Sequence, residues 1–437
     1  MSVPTLQGLQ TALSGLLAEQ QAMDVTGHNI ANANTEGYSR QVAVLETNTA
    51  IPVPALSALT GQGGQLGTGV TVETYTRIRN AYLDAQWRNQ NSALGGAAAQ
   101  AEELEQAQSA FNEPSSTGIA SQLSNFWSAW ASLANSPTSA AAKEGVVAAG
   151  ERLANAFNQL SAQLQTISAQ ATQQYEARTA ATGEVADYAN QIAQLNVQIK
   201  QAEQARQPPN DMLDRRDLLI DKLSALAQVT VTKQADGTDT ISFGDAAAPL
   251  VEGTTVNWPQ TLTSAAGGEL GALLSLTGPA GPLTAFQTEL DAVAASVAST
   301  VNALHTSTPF FTGTTAATLA VAVNASEVQT SSTAAPGGND VALAIAGLRG
   351  GAAESSYSGL IGLVGSRVSG AQNEQANLQT TLTAIGNQRQ SVSGVSLDEE
   401  MTNLISYQRG YQASARTLTA MDEMLETLIE HTGRAGL

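Results

Sequence analysis

A seven-residue apolar repeat marks each end of the chain, and a helix bearing such a stripe must bury it against a partner. At the N-terminus Leu9, Leu16, Met23 and Ile30 form one column. Leu6 and Leu13, with Gln20 in the third place, form its companion, which predicts a helix over 5–30. At the C-terminus Leu397, Leu404, Tyr411, Leu418 and Leu425 repeat in the same way beside Tyr407, Ser414, Met421 and Leu428. Ser396 reads as an N-cap there, with Glu399 at the capping-box position, and the predicted helix runs over 397–430. These stripes can be buried against each other, against the middle of the chain or against other copies. The first arrangement requires the two ends of a 437-residue chain to converge. Polymerisation is the functional inference, and an ordinary intramolecular bundle is its alternative.

The middle carries more helical periodicity. Leu153, Leu160 and Ile167 pair with Phe157 and Leu164, and Val185, Ile192 and Ile199 pair with Tyr188 and Leu195. Gly183 interrupts the seam between these runs, and Pro208 and Pro209 stop the helix. Further helices are predicted over 211–226, through Leu290, Val293, Val297, Val301 and Leu304, and over 359–391. Residues 229–232 and 240–243 alternate around Asp236-Gly237 and predict a hairpin. Residues 309–338 read as a small β domain or ordered loops. The fold class is mainly α with a smaller β-rich part, arranged as an elongated rod.

Composition narrows the function. Only 13% of residues are charged, against about 25% in an average soluble protein. The polar positions are therefore filled largely by Gln, Asn, Ser and Thr, which let copies pack without like-charge repulsion. Large side chains are few, so thin seams between helices are expected rather than one thick core. A net charge of −19 argues against nucleic acid as a partner. With no cysteine there is no disulfide, thiolate metal site or Cys nucleophile. No segment offers the roughly 20 consecutive apolar residues of a membrane span. No Lys or Arg precedes Arg40, and Gln7, Gln10, Glu19, Gln20 and Gln21 interrupt the apolar positions, so a cleavable secretory signal is not expected.

Chemistry-bearing patterns are sparse. His28, His305 and His431 are too far apart in sequence for a local metal motif. The glycine-rich stretch 61–69 matches no phosphate loop and reads as a flexible turn. Asp211, Asp214 and Asp217, followed by Asp221, are interleaved with Arg215 and Arg216, which reads as surface ion pairing along a helix. Asp398, Glu399 and Glu400 read as helix-start charge. No catalytic, cofactor or metal residue is expected, and the chain is not read as an enzyme.

The residues Asn29-Ile30-Ala31-Asn32-Ala33-Asn34-Thr35-Glu36-Gly37-Tyr38 resemble the motif that follows the first helix in bacterial flagellar axial proteins, the rod, hook and hook-associated family. The continuation Ser39-Arg40-Gln41 is similar to the hook-associated members. So are Gly67-Thr68-Gly69-Val70-Thr71-Val72 with Arg77, Tyr82, Leu83 and Arg88, and the stretch from Asn210 to Leu219. Gly268-Glu269-Leu270-Gly271-Ala272-Leu273-Leu274 and Ser393-Gly394-Val395-Ser396-Leu397-Asp398-Glu399-Glu400 complete the series in the family's order.

The resemblance implies a terminal coiled-coil domain over 1–45 plus 393–437 that lines a central channel. It implies a helical middle domain over 46–228 plus 275–305 and 352–392, and a small outer β-rich region over 229–274 plus 306–351. Asn29, Asn32, Asn34, Gly37 and Tyr38 would shape the exit from the first helix. The implied role is structural: an annular layer of copies at the hook–filament junction, touching the hook protein and a second junction protein. Export would follow the flagellar type III route, with a chaperone on the C-terminal helical region and a final location outside the cell. Ends whose seams lack a partner are expected to be disordered in a monomer. Rival readings are another rod or hook component, a secreted type III translocator or effector, or a hydrolase on an axial scaffold.

Overall fold

The computed structural model describes residues 4–53, 64–333 and 337–432. The first helix, α1 (Pro4–Ala31), lies along the last, α11 (Leu397–Thr432). Gly8 faces Met421, Gly15 faces Ser414, Gly410 faces Glu19 and Asn29 meets Glu400. Each step forward in α1 is matched by an equal step back in α11, so the pair is antiparallel. The two ends of the described chain therefore converge.

The α1 side of this seam differs from its expected columns. Its buried positions are Ala12, Ala18, Ala22, Thr26 and Asn29, while Leu9, Leu16, Met23 and Ile30 flank them half-buried. Small residues bring the helices close and move the contact line off the leucine column. Leu13 is 41% exposed and Leu17 50%, so Leu13 is not a seam residue within one chain. On α11 the expected columns face α1: Leu404, Tyr407, Tyr411, Ser414, Leu418, Met421 and Leu425 are all half-buried. Leu397 is 51% exposed, because its register places it opposite Asn32, beyond the last residue of α1. The side chains of Leu6 and Leu428 lie outside the described residues.

After α1, the chain makes a two-stranded ribbon in two stretches. Strand β1 (Gln41–Thr47) pairs antiparallel with β4 (Val70–Arg77), and beyond them β2 (Ile51–Val53) pairs with β3 (Gly64–Leu66). A two-stranded ribbon is marginal alone, and this one leans on α1. Ser14 Oγ accepts a hydrogen bond from Val70 N at 3.2 Å. Gly69 has φ +106, and a Cβ there would lie 2.0 Å from Ser14 Oγ. The glycine-rich stretch, read as a flexible turn, thus ends in a strand and a tight contact; its residues 61–63 lie outside the described ones.

The middle is built from α2 (Ala81–Phe111), α3 (Ile119–Asn135), α4 (Ala140–Thr179), α5 (Glu184–Gln204), α6 (Asn210–Leu226), α7 (Gly268–Thr277), α8 (Pro282–Leu304), α9 (Asp340–Ala346) and α10 (Ala352–Ser393). At 42 residues, α10 is about 63 Å long. Gly183 separates α4 from α5, since a Cβ there would meet the Ala177 carbonyl oxygen at 2.5 Å.

Two apolar clusters form the interior. One joins α2, α3, α4, α8, α9 and α10 around Phe126, Trp127, Trp130, Phe157, Phe286, Phe310 and Phe311. The few large side chains are concentrated here, giving a thicker core than composition suggested. The other joins α5, α6 and α7 to an antiparallel sheet of β5 (Val229–Lys233), β6 (Asp239–Phe243), β7 (Val251–Glu252) and β8 (Thr255–Val256). Ile241 and Phe243 point from that sheet into the cluster. The short ladder of β9 (Phe311–Thr312) and β10 (Ala320–Val321) belongs instead to the first cluster. The single β-rich region expected over 229–274 and 306–351 is therefore divided between two cores, because the apolar residues of each part point to different helices.

Within the helical middle, Glu103 on α2 is buried, accepts from Gln174 Nε2 at 3.1 Å through Oε1, and leaves Oε2 without a partner. Burial raises its carboxyl above the ordinary value despite the Gln174 bond. A raised carboxyl pKa contributes stability below the unfolded value that is lost as pH rises through the folded one. The Glu103→Gln variant is expected to melt above the wild type at pH 7.5, with the gap shrinking as pH falls toward about 4.3. Parallel thermal melts across that range check this.

Candidate functional site: a polar junction between the chain ends and the helical middle

Asn29, in the last turn of α1, is 1% exposed and uses all four of its side-chain hydrogen-bonding positions. Its Oδ1 accepts from Tyr38 Oη at 2.7 Å and from Gln41 N at 3.0 Å. Its Nδ2 donates to Gln41 O at 2.9 Å and to Glu400 Oε2 at 3.1 Å. One amide thus fixes the helix end, the exit loop, the first strand and the start of α11. Burial, followed by Asp211, Asp214 and Glu400, pushes the Tyr38 hydroxyl well above the ordinary phenol range. It stays protonated and donates.

The other motif residues divide by position. Gly37 turns the loop at φ +80 with Leu218 packed against it. Asn32 Nδ2 donates to His28 O at 3.0 Å, and its Oδ1 accepts from Thr35 Oγ1 at 3.1 Å, which closes the exit turn. Asn34 stays exposed on that turn.

Below the loop lies α6. Asp214, Asp217 and Asp221 fall three and four residues apart, so they share one helical face. They are not surface pairs with Arg215 and Arg216, as the sequence reading held. Ser39 donates to Asp214 from both N, at 3.0 Å, and Oγ, at 2.7 Å. Arg77, at the end of β4, reaches Asp214 at 2.7 Å and Asp217 at 3.0 Å. Arg79 reaches Asp84 at 2.8 Å, Asp217 at 3.3 Å and Asp214 at 3.8 Å. Arg88 on α2 binds Asp221 at 2.6 Å and Asp217 at 3.2 Å. Arg389 on α10 binds Asp221 at 2.6 Å and Asp84 at 2.8 Å, with its guanidinium 5.1 Å from the Trp87 ring centroid.

Four carboxylates and four guanidiniums therefore neutralise one another in a poorly solvated cluster. Burial opposes ionisation of Asp217, but Arg79, Arg77 and Arg88 overcome it and hold the carboxyl well below the ordinary range. Arg216 points away from this face. It binds Asp239 at 2.9 Å and donates to Asn196 Oδ1 at 2.8 Å and to Gly237 O at 2.9 Å, tying the β5–β6 turn to α5 and α6.

Further polar contacts fix the start of α6 to the ribbon. Gln41 Nε2 donates to Asp211 Oδ1 at 2.9 Å, and Asn210 Nδ2 donates to Gln41 Oε1 and Tyr75 O. Arg40 N donates to Ser393 O at 2.9 Å, and Arg40 Nη1 meets Glu399 at 2.7 Å. His28 lies 3.4 Å from Asp211, whereas His305 is buried far along the chain between Thr308 O and the Gln329 N–H. Among the described residues, no group of three or more metal-ligating side chains is suitably placed, and no helix is long and apolar enough to cross a membrane.

Three stretches of the chain match family models. Residues 104–266 match the flagellar hook-associated protein FlgK helical domain, 9–38 the flagella basal body rod protein family, and 387–430 the flagellar basal body rod FlgEFG protein C-terminal family. Flagellar hook-associated protein 1 of Bacillus subtilis (strain 168) is 29% identical, covering 99% of this chain and 99% of that protein. The protein of the same name from Escherichia coli (strain K12) is 30% identical over 59% of this chain and 45% of its own length. That from Salmonella typhimurium is 30% identical over 58% and 44%. A solved structure titled as the flagellar hook junction protein FlgK from Burkholderia pseudomallei aligns with a TM-score of 0.45 and 25% identity, covering 51% of this chain and 43% of that one. Along nearly its whole length the chain is similar to flagellar hook-associated protein 1 of Bacillus subtilis, and its longest matched stretch is similar to the FlgK helical domain.

All three matched stretches meet at the junction: Asn29 and Tyr38 from the first, Asp214, Asp217 and Asp221 from the helical domain, and Arg389 and Glu400 from the last. Removing one partner from a buried ion cluster leaves uncompensated charge. The Asp217→Asn variant is expected to lose about 3–5 kcal/mol of stability at neutral pH. A lowered carboxyl pKa gives stability that is present above the unfolded value and lost as pH falls through the folded one. Wild type should therefore lose stability steeply below about pH 4, and Asp217→Asn less so; denaturant titrations at pH 7 and pH 3 check both.

Proposed function

We propose that this protein is a structural subunit of the bacterial flagellum, forming the adaptor layer at the hook–filament junction. The observation that carries the reading is the convergence of both chain ends on one junction with the family's helical domain. A subunit so built presents its end pair and its middle in a defined relation, which is what a layer inserted between two stacked assemblies requires. The near end-to-end correspondence with the Bacillus hook-associated protein supports the same role.

The finer reading is that copies form an annular layer on the finished hook and touch the hook protein on one side. On the other side they receive a second junction protein, on which the filament is built. The C-terminal helical region would bind an export chaperone, and the chain would leave the cell through the flagellar type III apparatus. No catalysis is assigned to it. The names of its relatives describe flagellar hook-associated proteins, and the buried acids of the junction are consumed by ion pairs. Asn29, Asn32, Asn34, Gly37 and Tyr38 act as the exit motif, and the columns of α1 and α11 act in the seam and its lateral contacts.

Apolar side chains left on the outer faces of the end pair support contact with neighbouring copies: Leu13 and Leu17 on α1, and Leu397, Met401 and Ile405 on α11 are 41–51% exposed. Burying a Leu contributes about 1.5–3 kcal/mol, and such a contact repeats in every copy. A variant carrying Leu13→Asp and Leu17→Asp is expected to keep wild-type circular dichroism. It should fail to restore swimming, or to appear at hook tips, in a strain lacking its own hook-associated protein 1. Normal filaments in cells carrying this variant would contradict the assembly role of that face.

A further inference from the structure

The terminal unit, made of α1, the ribbon and α11, meets the helical middle through a surface unlike either core. Among the described residues, no side chain from 4–80 or 394–432 belongs to either apolar cluster. The contacts that cross are polar: Ser39 with Asp214, Arg77 with Asp214 and Asp217, Arg79 with Asp84, Asp217 and Asp214, Gln41 with Asp211 and Asn210, and His28 with Asp211. Leu218 packs against the Gly37 backbone beside these contacts.

The two sides of this junction are constrained differently. Within the terminal unit, Asn29 has one arrangement, since all four of its positions are taken by differently placed groups. Across the joint, the ion pairing of Arg77 and Arg79 is degenerate. Arg77 lies within 3.0 Å of two carboxylates, and Arg79 lies within 3.8 Å of three. A small rotation of the unit moves each guanidinium from one acid toward the next without leaving a buried charge unpaired. Beside the joint there is room for such a rotation: an open groove of about 1050 Å³ runs between the exit loop at Asn34, Glu36 and Tyr38 and the helix residues Trp87, Leu218 and Leu382.

We propose that the joint is an articulation in which the rigid terminal unit rocks on the N-terminal half of α6 by exchanging Arg77 and Arg79 among Asp84, Asp214 and Asp217. The other charged groups facing it are Arg88 and Arg389, which hold Asp217, Asp221 and Asp84 from the α2 and α10 side and remain with the middle. His28, Arg40, Glu399 and Glu400 border it on the end-pair side, and Asp211 borders it on α6. This inference concerns the chain's own mechanics and does not rest on the junction role.

The absence of native cysteine allows a direct test with spin labels on the full chain. One pair, Thr71→Cys with Gln198→Cys, crosses the joint from the ribbon to α5. A control pair, Thr71→Cys with Gln21→Cys, stays within the terminal unit. Pulsed dipolar distances are expected to be more widely distributed across the joint than in the control. The cross-joint distribution should widen further between low and about 1 M salt, where the Debye length falls to about 3 Å. Adding Arg77→Gln should widen it at low salt while circular dichroism still shows a folded helical middle. A cross-joint distribution no wider than the control, or one whose width ignores both salt and Arg77→Gln, overturns the proposal.

Discussion

The carboxylates on one face of α6 are the constraint on which the rest depends. Asp214 and Asp217 accept from the ribbon side, Asp217 and Asp221 accept from α2, and Asp221 accepts from α10. Ionised groups this poorly solvated cost several kcal/mol each unless fully paired, so the arginines of four segments must arrive together. Their arrival fixes where β4 ends, where α2 begins and where α10 meets α11. The antiparallel end pair follows from the same point, because Asn29 is held against Glu400 one turn into α11.

Two kinds of cohesion divide the molecule. The helical middle is held by apolar burial, with aromatic side chains gathered between α3, α4, α8 and the β9–β10 ladder. The terminal unit is held by a thin small-residue seam and a saturated amide, and it is joined to the middle by charge and hydrogen bonds. Apolar cores resist rearrangement because their packing is specific in volume and shape. Shared ion pairs tolerate displacement because neighbouring partners are chemically equivalent. A subunit placed between two stacked assemblies benefits from a stiff body and an adjustable end.

Much of this was legible in the sequence where the signal was local. The heptads located α1 and α11 to within a few residues, and the alternation around Asp236-Gly237 located β5 and β6. The proline pair marked the gap before α6, and the motif from Asn29 to Tyr38 marked the exit loop. What escaped was non-local. Ser39 and Asp214 are 175 residues apart, and Arg389 and Asp221 are 168 apart, so the acids of α6 looked like solvated helix charge beside Arg215 and Arg216. Their spacing on one face was the available clue. The seam on α1 was misplaced for a different reason: a search for large apolar side chains passes over Gly8, Gly15 and Ala22, whose small size is what sets the helix contact. Residues 306–351 lacked a period of either kind, and only packing assigned Phe310 and Phe311 to the larger core.

The central claim is that a polar junction, and not an apolar interface, holds the chain ends to the helical middle. Amide hydrogen exchange on the full-length Asp214→Asn variant tests it most directly. That substitution removes the charge that binds Ser39 and Arg77 but leaves Arg88 and Arg389 with their partners. The account predicts that the last turn of α1, residues 38–41, the end of β4 and the first turns of α11 lose protection together, while the helices around Trp127 and Trp130 keep theirs. Wild-type protection at the chain ends, or equal loss of protection throughout the middle, would contradict it.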